Sequence, residues 1–178
     1  ALLPKGYQVP RAYANEPFSL EKEILGSRDA LAALLPEGKQ VSVVTWSGNC
    51  SPWEEALAMA AKGGLRNING GDTRMDGAYP GYASVAPIGR PVGKERQIYA
   101  SASNENTYTR LWSSDFHGYQ HLVYTLGATE SPLRVKPMNV YYHIYSGEKQ
   151  ASLNALIKNL TYASAQPVTP VTAGTYTR

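Results

Sequence analysis

The sequence predicts an α/β fold with parallel strands, and two observations carry this prediction. Between residues 19 and 69, segments whose apolar residues recur at helical spacing alternate with short β-branched runs, in the order helix, strand, helix, strand. The 178 residues are 43% hydrophobic, which is enough for the core of one domain. The charged fraction is 17% and the net charge is +3, without a block of Lys or Arg. Neither a nucleic acid nor an anionic membrane is therefore expected as the main partner.

The chain holds few signals of membrane insertion or cross-linking. No apolar run approaches the roughly 18 residues that a membrane-spanning helix requires. Cys50 is the single cysteine, which excludes an internal disulfide and a multi-cysteine zinc site. The first residue is Ala rather than Met, and we expect the chain to be cut from a longer precursor.

The first helix and strand are predicted by spacing and by their end signals. Leucine and isoleucine recur at helical spacing over residues 19–35, Ser19 is a favourable N-cap, and Pro36 stops the helix. Residues 41–46, VSVVTW, are rich in β-branched side chains and predict a buried strand.

The second helix and strand follow after a Gly-rich loop. Ser51, Pro52 and Glu54 form a capping box that predicts the start of the helix, and Gly63 ends it. Residues 65–69 predict a short strand that leads directly into Gly70-Gly71-Asp72.

Two later segments have clear patterns. Residues 138–145, MNVYYHIY, alternate as a strand does, and residues 149–162 predict an amphipathic helix. The apolar face of that helix is expected to hold Leu153, Leu156, Ile157 and Leu160. The other predictions are an extended surface segment at 1–18, a loop at 74–95, a strand at 96–100, a helix at 115–126 and a short strand at 171–176.

Candidate binding residues gather in the loops that follow predicted strands. In α/β folds, ligands bind at the carboxyl ends of the strands. Polar residues follow four such ends here, at 46–50, 67–73, 103–107 and 143–147. Asn, Asp and Ser are also the usual residues of turns, so a purely structural role is the alternative for each loop. Several polar loops at one rim favour a site.

His143 and Asp72 are the candidates for acid–base chemistry. Alternation places Tyr141, His143 and Tyr145 on one face of the predicted strand. A histidine in this position is either a hydrogen-bonded core residue or a group that transfers protons. Asp72 either caps the turn after Gly71 or orients and charge-stabilises a histidine.

Three other side chains have weaker patterns. His117 and His121 are four residues apart, as in H-E-x-x-H metal sites, but the glutamate is absent, and exposed histidines are the favoured interpretation. Cys50 precedes a predicted helix, where a thiolate is stabilised, although a small buried cysteine is the favoured interpretation.

Several segments resemble one family in order and spacing. They are EKEILGS, VVTWSGNCSPWEEAL, AAKGGLRNINGGDTR, SNENTYTRLW and NVYYHIYSGEKQASLNAL, which lie within roughly residues 17–178. They resemble the polysaccharide deacetylase-like region of PelA proteins, which serve Pel exopolysaccharide production and belong to the NodB-type carbohydrate esterases. The NINGGDT, NENTYT and YYH-x-YS stretches are the specific part of the resemblance.

The resemblance implies a distorted (β/α) barrel and a divalent metal, usually zinc, held by an aspartate and two histidines. It implies that His143, in the late motif, is the general acid and that Asp72 tunes it. Residues 46–52 take the place of a third motif, without the arginine that is usual there. The sugar is expected to contact the following residues: Trp46, Asn49, Asn69, Asn104, Glu105, Trp112 and Tyr145.

The motifs that carry the base and the metal ligands in that family are absent from this chain. We therefore expect the chain to be the C-terminal half of a deacetylase domain, with the N-terminal half as its partner and the metal ligands outside this chain. The parent would be a bacterial, periplasmic or extracytoplasmic de-N-acetylase of an amino-sugar exopolysaccharide of biofilms, with export proteins as further partners. Alone, the chain is expected to hold no catalytic zinc and to associate through open strand edges.

Two other functions remain as alternatives. One is a non-catalytic carbohydrate-binding or assembly module, in which Tyr79, Tyr82, Trp112 and Tyr119 stack on sugars. The other is a hydrolase of a different kind, with Cys50 as its nucleophile.

Overall fold

The computed structural model describes residues 17–100, 103–130, 132–134 and 136–178. Nearly all of the extended segment predicted for residues 1–18 lies outside these residues. A π-helical turn, Lys22–Gly26, leads into the first α-helix, and 3₁₀ turns occur at Tyr82–Ser84, Gly118–His121 and Ile144–Glu148. In chain order the other elements are α1 Ser27–Ala32, β1 Val43–Thr45, α2 Glu54–Lys62, β2 Arg66–Ile68, β3 Gly89–Val92, β4 Glu95–Ile98, α3 Glu105–Tyr108, α4 Leu122–Ala128, α5 Gln150–Ser164 and α6 Ala173–Tyr176.

The α/β alternation predicted for the first half of the chain is confirmed. β1 and β2 are parallel, with Val44 opposite Asn67, and α2 connects them. α2 packs against β2 and β4, and its buried residues are Ala56, Leu57 and Ala60. Because the two strands are parallel, the loops that follow them lie at the same edge of the sheet.

An antiparallel hairpin, β3–β4, occupies part of the region predicted as a loop over residues 74–95. Pro91 lies opposite Arg96 in the ladder, and Gly93 makes the turn at φ +61. The strand predicted at 96–100 is confirmed as β4, Glu95–Ile98. The loop prediction is therefore wrong over the hairpin.

The capping box predicted before α2 is not formed. The helix begins at Glu54, its N-cap is Trp53, and no side chain caps it. The Glu54 carboxylate instead accepts the backbone N–H of Lys94 in the hairpin turn at 2.9 Å. This contact joins α2 to the hairpin and draws the carboxylate away from the start of its own helix.

Side chains, rather than a continuous ladder, join the two sheets, and Gln97 in β4 donates to the carbonyl of Asn69, the residue after β2, at 2.8 Å. Asn67 in β2 donates its amide N–H to the carbonyl of Arg96 at 3.0 Å and accepts the N–H of Ile98 at 3.2 Å. Within the described residues the strands form two two-stranded sheets and not a barrel.

Three further segments differ from the sequence predictions. Residues 138–143 form no strand ladder, and the chain turns into the 3₁₀ segment Ile144–Glu148. The strand predicted at 171–176 is the helix α6, which Thr172 caps by accepting the N–H of Thr175. The helix predicted at 115–126 is a 3₁₀ turn followed by α4.

The main core lies between α3, α4 and α5. It contains Tyr108, Tyr119, Leu122, Leu126, Ala155 and Leu156. α5 buries a narrower and more polar face than predicted, with Ser152 and Asn159 beside Leu156, whereas Ile157 is 52% and Leu160 is 40% exposed. None of the described helices is long and apolar enough to cross a membrane.

Lys136 is a buried cation whose removal should stabilise the fold. Burial lowers the pKa of its ammonium from 10.5 to about 8, although Nζ donates to the carbonyl of Pro87 at 2.9 Å. Near pH 7 the folded protein therefore carries a desolvated charge. We expect Lys136→Met to raise the free energy of unfolding at pH 7 by about 1–2 kcal/mol, a value reduced by the loss of that hydrogen bond.

The pH dependence of this gain has a defined sign. Between the folded pKa of about 8 and the unfolded value of 10.5, the unfolded chain binds the extra proton, so the wild type gains stability as the pH rises. The advantage of Lys136→Met should therefore shrink over that interval in urea unfolding. The exposed residue Lys62 provides the control Lys62→Met, which should change stability little. An unchanged or lower stability of Lys136→Met at pH 7 would contradict the prediction.

Candidate functional site

An open pocket of about 590 Å³ lies where the loops after β1 and β2 meet the start of α3. The loop after β1 supplies residues 47–51 and the loop after β2 supplies residues 70–72. The remaining wall comes from more distant parts of the chain: Tyr99, Asn104, Asn106, Thr107, Leu111, Tyr141 and His143. Three of the four polar loops expected at one rim, those at 46–50, 67–73 and 103–107, are thus brought together, and His143 of the fourth joins them.

A buried carboxylate holds the imidazole of His143. Glu105, the first residue of α3, is fully buried, and its Oε1 lies 2.5 Å from His143 Nδ1. Both of its oxygens also accept the backbone N–H of His143 at 3.2 Å. Because the carboxylate accepts at Nδ1, the proton on that nitrogen is fixed. Nε2 remains without a partner among the described residues, in a ring that lines the pocket.

Aromatic rings fix the plane of the imidazole. The ring of Tyr145 stacks on His143 with centroids 4.9 Å apart and planes 5° apart, and the ring of Tyr141 lies 5.3 Å away. The Tyr145 hydroxyl accepts the side-chain N–H of Asn106 at 2.7 Å, and Trp112 packs on Tyr145 at 4.8 Å. Trp112 and Tyr145, expected to contact the sugar, are therefore placed behind the histidine and are not pocket-lining residues.

Asp72 lines the same pocket but does not contact His143. Asp72 was expected to be the carboxylate that orients His143. In the structure the carboxylate that contacts the imidazole is that of Glu105. Conversely, Glu105, which was expected to contact the sugar, is fully buried. Asp72 is an exposed residue of the pocket lining. Partial burial of its carboxyl among the surrounding pocket residues raises its pKa by desolvation.

The turn before Asp72 requires glycine. Asn69, Gly70 and Gly71 all have positive φ, at +96°, +99° and +71°, a region in which only glycine is unstrained and asparagine is tolerated. A Cβ on Gly71 would collide with the ring of Tyr99. The NINGGDT segment thus makes a tight turn that sets Asp72 at the pocket.

The asparagines expected at the site divide into lining and supporting residues. Asn49 and Asn104 line the pocket, and their side-chain oxygens accept backbone N–H groups of Ser51 and Asn106. Asn69 is 5% exposed and lies beneath the pocket, where it donates to the carbonyl of Trp46 at 2.7 Å. 

The indole of Trp46 also has a supporting role. Its N–H donates to Asn67 at 3.2 Å, and Trp46 is not a lining residue. Its expected contact with a sugar is therefore not provided by this arrangement.

Cys50 lies in the pocket in an environment that favours the neutral thiol. Burial, and then the nearby charge of Asp72, raise the pKa of the thiol. Its Sγ donates to the carbonyl of Trp46 at 3.3 Å and lies 3.5 Å from the Asn69 amide nitrogen. A thiolate nucleophile needs the opposite electrostatics, so this geometry does not support Cys50 in that role.

The remaining candidates lie away from the pocket. His117 and His121 are not lining residues, and His121 packs edge-on against Tyr124. In the part of the chain that the structure describes, no group of three or more His, Cys, Asp or Glu residues could hold a metal ion. The described residues therefore do not supply the set of one aspartate and two histidines that the resemblance implies for the metal. Tyr119, expected as a stacking face, is fully buried and donates its hydroxyl to the carbonyl of Tyr141 at 2.6 Å.

Sequence reasoning did not identify Asn106 and Tyr141 as pocket residues. Asn106 belongs to the NENTYT stretch, where Asn104 accepts its N–H as the N-cap of α3. Tyr141 shares the alternating face of His143, and that signal was present in the sequence.

Comparisons with protein-family models, curated proteins and solved structures found no match to this chain.

Proposed function

We propose that this chain carries the acid half of a polysaccharide deacetylase site, with His143 as the general acid that protonates an amine leaving group. The observation that carries the proposal is the contact of His143 Nδ1 with the buried Glu105 carboxylate at 2.5 Å, beside an open polar pocket. The resemblance to the deacetylase-like region of PelA proteins supports an N-acetylated amino-sugar polymer as the substrate and a periplasmic setting. A NodB-type barrel completed by an N-terminal half is part of the same proposal.

Deacetylation needs a proton at the nitrogen that leaves. Water adds to the acetamide carbonyl carbon, and collapse of the tetrahedral adduct breaks the C–N bond to give acetate and a free amine. An amide anion is a very poor leaving group, so the nitrogen must be protonated as the bond breaks. His143, with Nδ1 held by Glu105, presents Nε2 as the donor, and the Glu105 carboxylate stabilises the imidazolium before transfer. The group that activates the water is assigned to the other half of the domain.

The pocket lining suits a sugar. Apart from Asp72 and His143 it consists of neutral side chains and glycines, with hydroxyl and amide groups from Ser47, Asn49, Asn104, Asn106 and Thr107. Such groups exchange hydrogen bonds with hydroxyls and acetamides without requiring a charged ligand.

A carbohydrate-binding module without catalysis is the second candidate, and one observation favours it. Tyr79 and Tyr82 are 46% and 68% exposed, as surface rings that stack on sugars need to be. Arg74 already lies over the ring of Tyr79, which leaves Tyr82 as the freer face.

Release of acetate separates the two candidates. We expect the intact polypeptide that contains this chain to release acetate from N-acetylglucosamine or N-acetylgalactosamine oligomers, with an equal amount of free amine. The matched control for the pocket is Asn49→Ala, which removes a lining amide and should mainly raise KM. Binding of the oligomers without acetate release would support the binding module and contradict the deacetylase.

A further inference from the structure

Among the described residues that line it, the pocket has one carboxylate and no fixed cation. Of the residues that line it, Asp72 is the only acidic one, His143 is the only basic one, and none is Lys or Arg. The imidazole of His143 is already matched by the Glu105 carboxylate behind it. The charge of Asp72 therefore has no counterpart in the pocket wall.

Asp72 is also unpartnered within the described residues. It forms no hydrogen bond and no ion pair with them, and it is an exposed residue of the pocket lining, so a ligand can reach its carboxylate. Desolvation raises its pKa, as expected for a carboxyl without a compensating cation.

Arg74, two residues after Asp72 in the chain, and Arg90 are engaged elsewhere. Arg74 binds Asp76 at 2.7 Å and the carbonyl of Thr107 at 2.9 Å, and its guanidinium lies between the rings of Tyr79 and Tyr108. Arg90 donates to Gln97 at 2.9 Å. Neither arginine pairs with Asp72.

We propose that Asp72 is a subsite for an ammonium group of the ligand, so that the pocket prefers a partly deacetylated, cationic amino-sugar chain over a fully acetylated, neutral one. This rests on the proposed function for the identity of the sugar, whereas the preference for a cation follows from the charges in the pocket. An anionic sugar, such as a uronic acid polymer, meets only repulsion at Asp72 and finds no lysine or arginine in the described lining. In this proposal Asp72 of the NINGGDT turn binds the ammonium group of the ligand, while Glu105 pairs with His143, the proposed general acid.

The test compares two probes that differ in charge. Titration calorimetry at about pH 6, where a glucosamine amine is protonated, measures binding of a glucosamine pentamer and an N-acetylglucosamine pentamer to the intact polypeptide. We expect the cationic pentamer to bind about tenfold more tightly, the usual scale for one charge-assisted hydrogen bond. Asp72→Asn should abolish the difference. Asp29→Asn, which removes an exposed charge on α1 outside the pocket, should leave it intact.

The outcomes separate this proposal from the proposed function. Equal affinity for the two pentamers, or a preference that survives Asp72→Asn, would overturn the ammonium subsite even if acetate is released from the acetylated oligomer. A charge preference that depends on Asp72 would uphold the subsite even if no acetate is released. Asp72→Asn is nearly isosteric, and its melting temperature should match that of Asp29→Asn, so loss of the preference cannot be attributed to unfolding.

Discussion

We expect His143→Ala to lower the kcat for acetate release from N-acetylated oligomers by at least about a hundredfold in the intact polypeptide. General acid catalysis contributes roughly 10²–10⁴-fold, and the His143 imidazole, which lines the described pocket, is the proposed proton donor. The side chain is 37% exposed, and its ring contacts are with Tyr141 and Tyr145 at the surface. Because its removal leaves the fully buried Glu105 carboxylate without its imidazole partner, we expect His143→Ala to have a lower free energy of unfolding. The kcat values are therefore compared at a temperature at which the far-ultraviolet circular dichroism spectra of the variant and the wild type agree.

A change of leaving group distinguishes acid catalysis from any other role of His143. When an aryl acetate such as 4-nitrophenyl acetate is hydrolysed, the 4-nitrophenolate leaves as a stable anion and needs no proton. We expect His143→Ala to lose most of its activity on the amide and little on this ester. Equal losses on both substrates would indicate that the histidine binds or orients the substrate, and near-full activity on the amide would remove it from the mechanism.

The control for this substitution is His121→Ala. His121 is also a histidine at a 3₁₀ turn, but it lies against Tyr124 and outside the pocket. It should retain the wild-type kcat on both substrates. A comparable loss in His121→Ala would show that the assay responds to general damage rather than to the acid.

The elements of the first half of the chain were predictable because their signals are local. β-branched residues mark β1, Gly63 marks the end of α2, and the single helix between two strands requires the parallel pairing that is observed. The same reliance on local signals caused the hairpin to be missed, because a proline is a local signal against a strand. Pro91 breaks a strand in most contexts, but Pro91 lies on a short two-stranded ladder, where a missing N–H costs little.

The segment around His143 shows what periodicity can and cannot establish. Alternation placed Tyr141, His143 and Tyr145 on one face, and the three rings do lie against one another. The hydrogen bonds of this segment, however, come from side chains rather than from a neighbouring strand. Glu105 accepts the N–H of His143, Tyr119 donates to the carbonyl of Tyr141, and Asn139 donates to the carbonyl of Ala100. An extended conformation was predictable, whereas its partners were not.

The pairing of Glu105 with His143 could not be predicted from a single sequence. The two residues are 38 positions apart. A glutamate at the first position of a helix usually faces solvent, where its negative charge interacts favourably with the helix dipole. Asp72 was the more plausible partner because it follows a strand directly. The choice depends on which carboxylate the packing of α3 turns inward, and this is a tertiary property.

Glu105→Gln is the second substitution with a large expected effect. Glutamine keeps the size of the side chain and one oxygen that can accept from Nδ1, but it removes the negative charge that stabilises the imidazolium. We expect kcat to fall by about tenfold to a hundredfold with KM nearly unchanged, because the loss of an orienting partner of a histidine has effects of this size. Glu105→Ala removes a fully buried side chain and the acceptor of the His143 N–H groups, and it should also lower the free energy of unfolding by about 2–4 kcal/mol.

The readout that identifies Glu105 as a positioning residue is the dependence of its effect on His143. If Glu105 acts through the imidazole, Glu105→Gln should cost little further activity in a His143→Ala background, and the two losses will not add. Glu105→Gln should also spare hydrolysis of the aryl acetate, as His143→Ala does. The control is Glu148→Gln, which removes an exposed carboxylate at the end of the 3₁₀ segment that follows His143. This variant should match the wild type. Additive losses in the double variant would mean that Glu105 acts independently of His143 and is not its positioning residue.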